Sequence, residues 1–245
     1  MNAQPVLPHW GVVKPFMLRS ATQFPLPGPP APGSAEFVRD FAEVKAIGGR
    51  TSTTRTNEQT ATAISWAGSE IPPLNAIARS AALARKNGLM DNVRLFAYLN
   101  MAMADALIAG FEAKYRFNNF RPITAIRGAA ASQSPSAMAE AQWAPLIVSP
   151  PHPEYPSAHC LATGAAGTVL CTLFGTDALS ATQILPAPLG VERRYTSVTQ
   201  LIKEMEDARV WGGIHFRSAD EHGTQLGRQI AEFSMQRFLL PVAAR

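Results

Sequence analysis

The chain has 245 residues, 47% hydrophobic and 16% charged, enough apolar material for one good-sized buried core. That balance excludes a disordered or nucleic-acid-coating chain. A net charge of +4 and a pI near 9.3 suit anionic substrates, but no Lys/Arg run occurs and no aromatics interleave with basic residues, so nucleic acid is not an expected partner.

Residues 1–33 are proline-rich from Pro5 to Pro32, which predicts an extended N-terminal arm anchored by Trp10 and Phe16. From Ser34 the pattern turns helical. Phe37, Phe41, Val44 and Ile47 mark one helix, stopped at Gly48-Gly49. Leu74, Ile77, Ala81 and Ala84 mark a second, ended by Asn87-Gly88. Asp91 to about Arg116 is apolar on nearly every side, which predicts a central, largely buried helix. Ser157, with Pro156 just outside, caps an Ala/Gly-rich helix running to Gly175. Cys160 and Cys171 lie in that helix, about 16 Å apart along its axis, so they cannot bridge. Neither a disulfide scaffold nor a zinc site is expected from two such cysteines.

Ser197-x-x-Gln200 reads as a capping box, followed by a stripe of Val198, Leu201, Ile202 and Met205. A last helix carries Leu226, Ile230 and Phe233 and ends at Pro241. Strand alternation is nearly absent and no internal repeat occurs. The expected fold is therefore all-α: a helical bundle forming a single catalytic domain over residues 34–245, behind the arm. No run of about 18 uninterrupted apolar residues is present, so no membrane span is expected. The start has neither a basic nor an apolar leader region, which makes the cytoplasm the default compartment; export stays open if the chain is a fragment.

Three segments place charge where the local pattern asks for burial. Lys114 and Arg121, in Lys114-Tyr-Arg-Phe-Asn-Asn-Phe-Arg121-Pro122, share a face if the helix continues, being seven residues apart. The plain alternative is a solvated helix end. Tyr155-Pro156-Ser157-Ala158-His159 puts the amides of Ser157, Ala158 and His159 at a helix N-terminus beside a hydroxyl and an imidazole, a ready anion site. The alternative is an ordinary cap with a surface histidine. In Arg209-Val-Trp-Gly212-Gly213-Ile-His215, the apolar stripe lands on Arg209, and the glycines permit a break that turns His215 back toward the same centre. Here the alternative is a structural ion pair plus a core histidine. Together these residues supply what a phosphate or vanadate needs: cationic forks and amides for its oxygens, and imidazoles for attack, coordination and proton transfer.

The three segments, in this order and spacing, resemble the signature of the vanadium-dependent haloperoxidases, shared with the type 2 phosphatidic acid phosphatase superfamily. The resemblance runs from about Trp10 to the C-terminus and includes Arg55-Thr56-x-Glu58-Gln59-Thr60 and Pro-Pro-His-Pro-Glu-Tyr-Pro. It implies that His215 binds vanadium, that Lys114, Arg121, Ser157, the amide of Ala158, and Arg209 hold the vanadate oxygens, and that His159 is the acid–base residue opposite. Phosphate can take the same place. The implied partners are hydrogen peroxide, activated on vanadate with help from Lys114, a halide, and a small organic acceptor. His152 implies a leaning toward bromide or iodide, although a loop histidine between prolines reads equally well. Ala158 stands for the family glycine, Ala208 for the serine before Arg209, and Ala219 for the aspartate that orients the histidine in the phosphatases. His215 is thus expected to lack its supporting carboxylate. Longer relatives carry a further N-terminal helical half, so a homodimer is the expected way to cover an apolar surface left open. Two other functions fit the same residues: a soluble acid phosphatase with His215 as nucleophile and His159 protonating the leaving alcohol, and an inactive oxyanion-binding relative.

Overall fold

The computed structural model describes residues 4–129, 139–184 and 192–240. Three long helices form the centre: α4 (Leu89–Phe117), α6 (Ala158–Phe174) and α8 (Arg217–Met235). α6 packs against both α4 and α8. Leu99, Ala102 and Met103 of α4, Leu161, Ala165 and Val169 of α6, and Leu226 and Ile230 of α8 fill the main core. The all-α bundle expected from the 3.6-residue periodicity is the fold observed.

Small residues set how closely these helices approach. A Cβ on Gly164 would lie 2.3 Å from the Thr224 carbonyl oxygen, and one on Gly227 would lie 2.1 Å from that of Leu161. At this crossing α6 and α8 meet backbone to backbone. The contact matters for the site, because Ser157–His159 open α6 while His215 immediately precedes α8.

The flanking helices are α1 (Ala35–Ile47), α2 (Asn57–Ser65), α3 (Ile71–Ala84) and α7 (Val198–Trp211), with a short turn, α5 (Pro122–Thr124). Ser34 caps α1 by accepting from the Phe37 amide, and Gly48 ends it, as the sequence predicts. α6 stops at Gly175 in the left-handed conformation, φ 68°. Both cysteines are free. α4 and its continuation to Gly128 are long and apolar enough to cross a membrane by length and composition alone. More than half of its most apolar stretch is buried inside the bundle, however, as in a core helix.

Four expectations are corrected. The Ser197 capping box is only half made: Ser197 Oγ accepts from the Gln200 amide at 3.0 Å, but Gln200 Oε1 turns to the Thr196 amide instead of returning to Ser197. The complete box belongs to α2, where Thr56 and Gln59 cap each other. The last helix ends at Met235, well before Pro241, which lies outside the described residues. Strand is also present: β1 (Ala178–Ile184) and β2 (Glu192–Ser197) pair antiparallel. Only Tyr195 of β2 is buried, so the strand lacks the alternating apolar pattern that sequence reading relies on. Glu204 of α7 secures the pair by accepting from Tyr195 Oη at 2.8 Å, Arg193 Nη2 at 2.6 Å and Trp66 Nε1 at 2.9 Å.

The arm is the fourth correction. Phe16 does not anchor it, being 66% exposed; Met17 and Leu18 are the buried residues. Trp10 is half-buried on a single 3-10 turn (Trp10–Val12) against α4. The stronger attachment is polar. The fully buried Asp105 carboxylate of α4 accepts the backbone N–H groups of Phe16, Met17 and Leu18 at 2.7, 2.7 and 3.0 Å.

Candidate oxyanion-binding site

Lys114 sits in the last turn of α4 and is fully buried. It does not meet Arg121 along one continuous helix face, as the heptad spacing suggests, because Asn118 takes a left-handed conformation and ends α4. Arg121 instead caps α5 in extended backbone. The two cations grip one loop. Lys114 Nζ donates to the carbonyls of Pro153 and Glu154, both at 3.0 Å, and Arg121 Nε donates to that of His152 at 3.1 Å. The proline-rich loop cannot satisfy these carbonyls by its own secondary structure, so the cations do so.

The rest of the Arg121 fork reaches the third segment. Nη1 donates to the Ile214 carbonyl at 2.7 Å and lies 3.1 Å from His215 Nε2. Gly212 ends α7, and Gly213 has φ 76°, with a hypothetical Cβ 2.3 Å from the Gly48 carbonyl. That bend carries His215 back to Arg121, as the paired glycines predict. Replacing Arg121 by lysine keeps the charge but cannot span His152, Ile214 and His215 at once. Arg121→Lys is expected to cost about 2 kcal/mol in urea unfolding through lost charge-assisted hydrogen bonds.

His152 is held by Arg121 Nη2, 3.1 Å from its Nδ1, and its ring lies 5.3 Å from that of Phe111. Burial first, then Lys114 and Arg121, push its pKa down to about 2. Nδ1 also lies 3.2 Å from the Pro153 carbonyl, and the lowered pKa keeps the ring neutral.

Ser157 begins α6, but its amide does not face an open site: it donates to the Ala219 carbonyl at 3.0 Å. Ala158 and His159 keep the N-terminal amides that have no intrahelical acceptor. The Ser157 hydroxyl makes no cap. It is buried and, among the described residues, its Oγ has no hydrogen-bond partner. Arg209 is likewise buried; Nη1 donates to the Trp66 carbonyl, while Nε has no partner among the described residues. Two buried donors without acceptors are costly unless something accepts from them.

His159 Nε2 lies 2.8 Å from the Gly68 carbonyl, and Nδ1 lies 3.5 Å from Glu70 Oε2. Burial and then Arg209 hold its pKa well below the usual imidazole range, with Lys114 and Arg121 acting in the same direction. Burial raises that of Glu70 against the pull of Arg209 and Lys114. Among the described residues no hydrogen bond joins His159 to the His215 network; both histidines share the field of Lys114, Arg121 and Arg209.

The expected lack of a carboxylate behind His215 is also corrected. Nδ1 lies 2.9 Å from Glu154 Oε1, although residue 219 is alanine and Asp220 turns its Oδ1 to the Cys160 thiol at 3.3 Å. Sequence reading missed Glu154 and Glu70 as members of the site. For Glu154 the signal was a lone carboxylate between Pro153 and the apolar Tyr155, in a loop whose neighbours already pointed to the site.

The fold thus brings the buried Lys114, Arg121 and Arg209 within electrostatic reach of His159 and His215, with the Ser157 hydroxyl buried at the start of α6. The family model of the VCPO second helical-bundle domain matches residues 94–242, and the chain belongs to that family. Among solved structures it is similar to a bacterial vanadium-dependent iodoperoxidase, 30% identical with a TM-score of 0.82, covering 96% of this chain and 58% of that one. The apo form of a bacterial vanadium-dependent chloroperoxidase shares the fold at 20% identity and a TM-score of 0.78, covering 95% of this chain and 55% of that one. This chain therefore spans somewhat more than half the length of these structures. No curated protein matches it.

Proposed function

We propose that the protein is a vanadate-dependent haloperoxidase that oxidises iodide or bromide with hydrogen peroxide. The observation that carries this reading is the burial of Lys114, Arg121 and Arg209 within one another's field, with Arg209 Nε lacking an acceptor among the described residues. Those donors fit a tetrahedral or trigonal-bipyramidal oxyanion. Lys114, Arg121, Ser157, the Ala158 amide and Arg209 would hold its oxygens, and His215 Nε2 would face its central atom. Vanadate, when bound, supplies a Lewis acid for peroxide without changing its own oxidation state.

The chain's own residues then have definite tasks. Lys114 Nζ, whose pKa burial and then Arg121 hold well below the ordinary lysine value, donates to an oxygen within its reach. His159, between Gly68 and Glu70, exchanges the proton on the opposite side from His215. The overall reaction balances as peroxide, halide and one proton giving hypohalous acid and water: halide loses two electrons and peroxide gains them. The preference for iodide draws on the relative named as an iodoperoxidase. His152, neutral and fixed beside Arg121, is the residue we assign to the halide side of the pocket.

The test is peroxide-dependent triiodide formation before and after vanadate addition, with phosphate-ester hydrolysis measured on the vanadate-free protein. Iodide oxidation should require vanadate and fall at least about 100-fold in His215→Ala. Ester hydrolysis inhibited by vanadate, without iodide or bromide oxidation, would replace this reading with the phosphatase one. Neither activity in folded protein would make the chain an inactive oxyanion binder.

A further inference from the structure

We infer that Glu154 is the positioning residue of His215, taking over from the loop the task that a carboxylate at position 219 would perform from α8. The inference deepens the proposed function and rests on its assignment of His215.

The geometry is specific. Glu154 Oε1 accepts from His215 Nδ1 at 2.9 Å and from the Phe216 amide at 3.0 Å, while Oε2 accepts from Asn119 Nδ2 at 3.0 Å. Both side chains are almost completely buried, His215 at 2% and Glu154 at 1% exposure. The backbone of the same residue is fixed as well: its amide donates to the Asn119 carbonyl and its carbonyl accepts from Lys114 Nζ, each at 3.0 Å. One residue thereby joins all three site segments.

The hydrogen bonds also define the imidazole. Arg121 Nη1 lies 3.1 Å from His215 Nε2, and a guanidinium has no lone pair to offer, so Nε2 must accept. In the neutral ring Nδ1 then carries the hydrogen and gives it to Glu154. Such a tautomer leaves the Nε2 lone pair on the side of Arg121, and a carboxylate accepting from Nδ1 makes that lone pair more basic. Asp220 is the nearest carboxylate in sequence to the expected place, but its Oδ1 is engaged by Cys160, and it makes no hydrogen bond to His215 among the described residues. A carboxylate delivered from the loop removes the need for one at position 219, and Ala219 can be buried in the core instead.

The experiment uses two variants and two readouts. Histidine side-chain nitrogen NMR on the free protein reads the His215 tautomer, and titration with vanadate, followed by vanadium NMR, reads affinity. Glu154→Ala leaves the His215 Nδ1–H without its acceptor, so the Nδ1 and Nδ1–H resonances should shift and the hydrogen exchange faster with water, and the vanadate Kd should rise by about 10–100-fold, the usual scale for loss of an outer partner of a metal-binding histidine. Unchanged Nδ1 and Nδ1–H shifts in folded Glu154→Ala would overturn the inference. If that variant does not fold, Glu154→Gln decides. Its amide oxygen can still accept from Nδ1, and Asn119 can rotate to match, so the tautomer should persist while the Kd rises about 10-fold because an amide oxygen is a weaker acceptor than a carboxylate. An unchanged Kd in Glu154→Gln would overturn the inference. If the wild-type protein binds no vanadate, the proposed function falls, whereas the His215 Nδ1–H shifts in the free variants still decide the role of Glu154.

Discussion

Gly227→Ala should destabilise the protein by about 3 kcal/mol or more, read as a lower urea midpoint with unchanged slope. The new Cβ would stand 2.1 Å from the Leu161 carbonyl oxygen and 2.8 Å from the Ala165 amide nitrogen. Both obstacles are backbone of α6, so no side-chain rotation relieves them and the two helices must separate. Separation opens a crossing lined by Leu161, Ala165, Leu226 and Ile230, where lost contact accumulates over many atoms. Gly164→Ala meets the reverse obstacle, the Thr224 carbonyl at 2.3 Å. The double variant should cost less than the sum of the two, since helices already parted by one methyl admit the second. Additive costs would show that the two glycines do not share one crossing. The damage should extend beyond stability, because Ser157 and His215 are mounted on opposite sides of the same contact.

A comparable loss is expected for Asp105→Ala, again about 3 kcal/mol or more. The variant removes the acceptor for three backbone N–H groups, two of them on the buried residues Met17 and Leu18. Each buried donor left unpaired carries about 1–3 kcal/mol of desolvation cost, and part of the arm should detach to recover water. Limited proteolysis should then cut within residues 4–33 before the bundle is touched. Asp105→Asn should recover only part of the loss, because its amide NH2 would face N–H donors where the carboxylate accepts. An arm equally protected in wild type and Asp105→Ala would assign the attachment to Met17 and Leu18 packing alone.

The helices were legible in the sequence where periodicity and caps agreed, as with Ser34 and Gly48 around α1; Gly175 ends α6 as expected, but Ser157 opens it without a side-chain cap. α2 escaped because its nine residues hold few apolar positions, and the hairpin escaped because Tyr195 alone points inward from β2. For the site, residue types were readable but their connections were not. The spacing of Lys114 and Arg121 suggested a shared helix face, yet the left-handed Asn118 breaks that helix and both residues meet on the carbonyls of residues 152–154. Glu154 was invisible for a related reason. Its partner lies 61 residues away, and no local pattern encodes a hydrogen bond across that separation.

That same dispersal links the site to folding. Lys114–Arg121, His152–His159 and Arg209–His215 come from three stretches of chain that only the finished bundle assembles. Unfolded chain has no equivalent pocket, so an oxyanion that binds the native site does not bind the unfolded ensemble. By mass action, vanadate or phosphate at one hundred times its Kd should then add about 2.7 kcal/mol to the stability of the entire molecule. Anion concentration becomes a thermostat for the fold, and a melting curve becomes a way to weigh the anion's grip before any catalytic assay is run.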